Sequence, residues 1–272
     1  MNAGKAVFSL YEPIVVVYSL RNISDSEIMV PSNLIYGLGE VAFSIRGANG
    51  ETIDYRNDVL ARSIMAAKPV MLQAHQAETR DVVVFFNETS SDLAFPIAGH
   101  YVITGQVQVG NDPNPVLVRA EPLTIEVRDP TKRERQAIEA LGSVNRLTAL
   151  FRLGPWAYCK DEEVGACAET LRSFLRRYDD SPLAPAVTYY YGEAVSSGAL
   201  PIGPKDDKAA DVFAGFLRHW PDHPLEPSVI AALIVDLNKT GRRQESFEWL
   251  HRFEQKFPER TRQVRDLRAR IE

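Results

Sequence analysis

The residues able to do chemistry are thinly spread in this chain, and their spacing limits what each can do. His219 and His223 lie four apart, the offset at which two imidazoles on one helical face share a metal ion. Pro221 stands between them and interrupts the turn, so a place in a structural joint is the expected role. His75, Glu78 and Asp81 share one polar stretch, and His100 and Asp92 flank another loop. Neither set forms a nucleophile–base motif. There is no Gly-x-Ser-x-Gly, no His-Glu-x-x-His and no phosphate-cradling glycine loop. Cys159 and Cys167 are eight apart around Lys160-Asp161-Glu162-Glu163. A loop joining two helices would bring them within disulfide reach, and two small core thiols are the alternative. Without a nearby His pair, a zinc site is not expected.

Tyr189-Tyr190-Tyr191 is the most informative local feature. Three consecutive aromatics on a helix cannot all face one core. Tyr191 takes the packing position, which leaves Tyr189 and Tyr190 with Glu193 on a concave side, joined by Asn238 and Lys239 of the next helical hairpin. Aromatics mixed with a few polar groups suit peptide or protein recognition. Packing of both tyrosines against a neighbouring helix is the alternative. None of these residues calls for a cofactor or a metal. Asn22-Ile23-Ser24, Asn87-Glu88-Thr89 and Asn238-Lys239-Thr240 fit the short glycosylation pattern, which occurs often by chance.

The elements that must position these residues change character at Glu121–Gly142. Leu123, Ile125 and Val127 alternate with polar residues as in a half-buried strand. Asp129-Pro130 then punctuates, and Thr131 with Glu134 makes a capping box. Ile138, Leu141, Val144 and Leu147 recur every third residue, which predicts one helix. The domain boundary is therefore expected between 1–128 and 129–272, and 272 residues suffice for two domains of ordinary size. A net charge of −5 gives no general attraction to phosphate backbones, so nucleic acid is not an expected partner. No run approaches the ~20 apolar residues of a membrane-spanning helix. The N-terminal Met1–Lys5 lacks the apolar core of a signal peptide. A cytoplasmic protein is one reading; an exported or periplasmic one, its signal segment replaced by a start Met, is the other and is preferred.

Before the seam, seven to nine short strands follow one another with turn signals and no helix between them. Ile14–Asn22 is rich in β-branched residues, Val41, Phe43 and Ile45 alternate cleanly, and Asn49-Gly50 has the chemistry of a tight hairpin. Such a series predicts an antiparallel β-sandwich. Glu12-Pro13-Ile14, Leu20-Arg21-Asn22-Ile23-Ser24-Asp25 and Gly99-His100-Tyr101 resemble the Ig-like modules of exported bacterial proteins, a group similar to an intracellular proteinase inhibitor of bacilli. Tyr11 stands where such modules usually carry Gly. The resemblance implies a binding or spacer module over about residues 8–128 and no catalytic residue.

After the seam, Phe174-Leu175-Arg176-Arg177-Tyr178 returns as Phe216-Leu217-Arg218-His219-Trp220, and more weakly as Phe253–Phe257. Fixed self-similarity at such periods signals stacked helical hairpins. These phrases, with Tyr191-Gly192, Leu233, Leu237, Gly241 and Leu250, resemble tetratricopeptide repeats. In this register Ile234 replaces a small residue, Ser246 replaces Ala, and Leu200–Lys208 lengthens one loop. Val264, Leu267 and Ile271 form the stripe of a terminal capping helix, its remaining face covered by arginines. The fold class expected is thus an N-terminal Ig-like β-sandwich followed by an α-helical repeat solenoid. The function expected is non-enzymatic binding or scaffolding of a protein or peptide partner through the helical groove. A proteinase-inhibitor-like regulator acting through loops such as Asn87–Pro96 is the first alternative, and a hydrolase with a composite site between the halves the second.

Overall fold

The structure, a computed structural model, describes residues 1–31, 41–55, 69–88, 90–110, 115–160, 164–198 and 208–272. Its contacts divide the chain into two units. One holds Met1–Leu10 and Ile14–Asp129; the other holds Tyr11–Pro13 and Pro130–Glu272.

The first unit is built of strands β1 (Val7–Ser9), β2 (Ile14–Arg21), β3 (Ile28–Val30), β4 (Val41–Arg46), β5 (Thr52–Tyr55), β6 (Val70–Leu72), β7 (Ala77–Val84), β8 (Phe86–Asn87), β9 (Asp92–Leu93), β10 (Gly99–Val109), β11 (Val116–Arg119) and β12 (Leu123–Arg128). One sheet runs β1-β12-β10-β4-β5, with β11 on the far end of β10; β2-β7, β3-β6 and β8-β9 pair separately. Every ladder is antiparallel except β1 with β12. Alternation explains the layering. Val41, Phe43 and Ile45 of β4 and Ile125 and Val127 of β12 turn to one face, where Ile14, Val16 and Tyr18 of β2 and Val84 of β7 cover them. Each such buried side chain stabilises the fold by about 1.5–3 kcal/mol. The Asn49-Gly50 turn closes β4 onto β5 as its chemistry requires. Gly50 sits at φ 84°, and Gly47 N–H donates to the Glu51 carbonyl.

Two short motifs of this unit are architectural. Asn22 is buried, and its Nδ2 donates to the carbonyls of Ser26 (2.7 Å), Leu72 (3.1 Å) and Gln73 (3.0 Å). Its Oδ1 accepts from the Ser24 amide and hydroxyl. One amide thus staples the β2 turn to the end of β6, which leaves it no role as a sugar acceptor. Tyr101 is likewise buried, its hydroxyl donating to the Ile97 carbonyl at 2.7 Å. Burial raises that hydroxyl above the usual phenol pKa, against the lowering effect of the Ile97 bond. Tyr11 has φ 72°, in the left-handed region that favours glycine.

The second unit is all-helical over the described residues: α1 (Lys132–Ala140), α2 (Val144–Leu153), α3 (Pro155–Tyr158), α4 (Val164–Arg177), α5 (Ala184–Ser197), α6 (Ala209–His219), α7 (Glu226–Lys239), α8 (Arg243–Lys256) and α9 (Thr261–Ile271). The capping box of Thr131 and Glu134 is formed, so α1 starts at Lys132 and Pro130 lies outside it. The single seam helix expected from Ile138–Leu147 is two. Gly142 adopts φ 103°, Ser143 caps a new start, and the i+3 spacing merely continues across the break. The sulfurs of Cys159, just after α3, and Cys167 in α4 are bonded, with Cα atoms 5.5 Å apart.

The recurring phrase is a structural joint. Phe174 with Tyr178, Phe216 with Trp220 and Phe253 with Phe257 place their rings 5.7, 5.2 and 5.2 Å apart. In each pair the second residue's amide donates to the first one's carbonyl, at 2.8, 2.9 and 2.9 Å. Ser181 Oγ then accepts from the Leu183 amide, and His223 Nδ1 from the Leu225 amide at 3.1 Å. The imidazole does here what the serine hydroxyl does one joint earlier. Lys256 Nζ closes the middle joint with bonds to Asp222 (2.9 Å) and both Glu226 oxygens (2.7 and 2.8 Å). In α9, Leu267 and Ile271 are buried as the stripe requires, but Arg262, and Arg260 just before the helix, are buried too rather than solvated.

Candidate functional site

Helices α5, α6 and α7 are held close by complementary sizes. A Cβ on Gly192 of α5 would lie 2.4 Å from the Phe213 ring of α6, so only glycine admits that ring. In the following pair, Ser246 of α8 donates through its hydroxyl to the Ile234 carbonyl of α7 at 2.8 Å. Gly198 (φ 68°) ends α5 and Gly241 (φ 79°) follows the end of α7. Successive antiparallel helices therefore bring the C-terminal ends of α5 and α7 to the N-terminal end of α6.

At that end lies a cleft of about 670 Å³, lined by Val195, Ser196, Lys208 to Asp211, Asp236, Lys239, Thr240 and Arg242. Some of its charges have plain structural duties. Asp211 is in the first turn of α6 and Lys239 in the last of α7, each complementing a helix dipole. Arg242 is engaged by Glu245 through two bonds of 2.7 and 2.6 Å. Asp236 is different. It is only 5% exposed, and among the described residues no hydrogen bond or ion pair reaches its carboxylate. Glu193 on α5 is half-buried and feels both Asp236 and Lys239. Burial raises its carboxyl pKa above the usual value, the Asp236 charge adds to the rise, and Lys239 opposes it.

Of the groove residues expected from sequence, Lys239 lines this cleft, and Glu193 lies close enough behind the lining to feel the charges of Lys239 and Asp236. Tyr190 packs on α2: its hydroxyl donates to the Phe151 carbonyl at 3.1 Å, and the two rings lie 5.8 Å apart. Burial pushes that hydroxyl far above the ordinary phenol value, with the Glu193 charge contributing. Tyr189 lies half-buried against Tyr190, at 5.3 Å between rings. Asn238 donates to the Arg270 carbonyl of α9. Asp236 escaped sequence reading; its signal is a single carboxylate within the otherwise apolar Val229–Leu237.

The remaining polar groups do not converge. His75 pairs with Asp25 on the surface at 3.1 Å, whereas Glu78 is fully buried beside Arg80. Asp92 Oδ1 accepts from the Leu93 amide, and His100 is exposed. His219 meets Trp220 edge-on, with ring centres 4.6 Å apart. Among the described residues no three His, Cys, Asp or Glu side chains are placed to hold a metal ion, and no helix is long and apolar enough to cross a membrane. Residues 200–207 of the lengthened loop and Thr89 lie outside the described residues. No protein-family model matches the chain, and no curated protein is significantly similar to it.

Proposed function

We propose that this chain is a non-enzymatic binding or scaffold protein that recognises a peptide or protein through its helical unit, with the β unit as spacer or second recognition element. The observation that carries this reading is the α5–α7 cleft, whose lysines and carboxylates have few partners of their own. Polar groups left unspent by the fold are those available to a ligand. The threefold aromatic joint and the Gly192–Phe213 contact support reading the helices as tetratricopeptide-like repeats, which bind extended segments along such surfaces. The Tyr101–Ile97 bond and the two-layer core support reading the β unit as an Ig-like sandwich. The Cys159–Cys167 bond supports an oxidising, exported or periplasmic setting.

The test places a photo-crosslinking residue at Ser196, and at Leu117 of β11 as control, and offers a library of short unstructured peptides. Peptide adducts at 196 and none at 117 are expected; no adduct at 196 removes the reading.

A proteinase-inhibitor-like role keeps one observation in its favour. Ile97 is 53% exposed, yet its backbone N–H and C=O both meet the buried Tyr101 hydroxyl. A presented, rigidly held loop is what slow-cleaving inhibition requires. Ile97→Asp should then abolish inhibition across a protease panel; a wild-type chain that slows no protease ends this alternative.

A further inference from the structure

We propose that Asp236, with Glu193 beside it, anchors one lysine or arginine side chain of the bound peptide in the α5–α7 cleft. This rests on the peptide-binding reading above and names what the peptide must carry. Asp236 is 5% exposed, lines the cleft and has no hydrogen-bond or ion-pair partner among the described residues. A carboxylate so placed is costly unless something pairs with it. Its position deepens that cost. Helix α7 ends three residues later at Lys239, so the negative end of the helix dipole acts on the carboxylate as a like charge. Glu193 adds a second like charge. The cleft's own cations relieve it only in part: Arg242 lies near enough to feel the Asp236 charge but gives its hydrogen bonds to Glu245, and among the described residues Lys239 makes no ion pair.

An organic cation with several N–H donors can pair with the Asp236 carboxylate directly while its charge is drawn by Glu193 nearby, which suits an ammonium or guanidinium group. A metal ion fits poorly, since no third ligating side chain joins the pair among the described residues. Lys208 and Lys239 on the same cleft set the pattern of the peptide: they repel further positive charge, so a single basic residue flanked by neutral or acidic ones is selected over a basic run.

The experiment is a positional-scanning library of short unstructured peptides bound to the full chain and to Asp236→Asn. The proposal expects one library position to demand Lys or Arg, and Asp236→Asn to weaken those peptides at least ~30-fold, the loss typical of one partner of a buried charge pair. Propylguanidinium should displace bound peptide from the unaltered chain, and its neutral isostere propylurea should not; this arm needs no variant to fold. Peptides bound with no basic requirement, or a basic requirement that survives in Asp236→Asn, overturn this inference and leave peptide binding standing. Absence of any bound peptide removes both.

Discussion

The two units use their buried polar groups alike except at one place in the helical unit. In the β unit they serve the fold: Asn22 holds three carbonyls and two Ser24 donors, and the Tyr101 hydroxyl serves both backbone groups of Ile97. In the helical unit the joints are spent in the same manner, through Ser181, His223 and the Lys256 clamp. The α5–α7 cleft is the exception, because Asp236 is buried with no such partner among the described residues. A group that satisfies backbone partners cannot be removed without leaving them orphaned, whereas one that satisfies nothing can be neutralised freely. The difference separates the residues that build this molecule from those free to bind.

The largest expected effect is on the β side. Asn22→Ala strands the buried Leu72 carbonyl and loosens two others, so it should cost about 3 kcal/mol or more in chemical denaturation. A loss below ~1 kcal/mol would mean that water replaces the amide at little cost. Next is the one covalent tie. Converting Cys159 and Cys167 together to Ser should cost about 2–3 kcal/mol for a loop this short. A matching loss on adding reductant to the unaltered chain would assign it to the bond rather than to the serines. Neutralising Asp236 should act in the other direction, raising stability at pH 7 by about 1 kcal/mol.

The smallest effect depends on pH. The Glu193 carboxyl has a folded-state pKa above its unfolded value, so the folded chain binds the proton more tightly. Ionisation therefore penalises the fold at neutral pH, and the penalty fades as pH falls through the raised pKa to below the unfolded one. Glu193→Gln should be the more stable chain at pH 7, and the difference should close below the ordinary Glu range. A constant offset at every pH would place the effect in packing.

Much of this contrast was legible in the sequence where local patterns carry it. Strand alternation places Val41, Phe43 and Ile45 inward, whereas the Leu20–Asp25 and Gly99–Tyr101 segments stand out only by their resemblance to Ig-like modules, and nothing in them announces the bonds made by Asn22 and Tyr101. The aromatic joints repeat in sequence because each is closed by residues four apart. What could not be read depends on distance along the chain. Asp236 and Glu193 are separated by most of two helices, and an isolated Asp in a helix normally reads as a solvated position. Tyr190 drew notice as an aromatic in a run, but its partner Phe151 belongs to α2. The break at Gly142 was invisible because the apolar spacing carries on through it.

The central claim is tested most directly by measuring the unfolding free energy of Asp236→Asn and Asn22→Ala side by side at pH 7. The account predicts opposite signs: Asn22→Ala less stable, Asp236→Asn equal or more stable. A loss of stability in Asp236→Asn comparable to that of Asn22→Ala would contradict it, since Asp236 would then be serving the fold rather than waiting for a ligand.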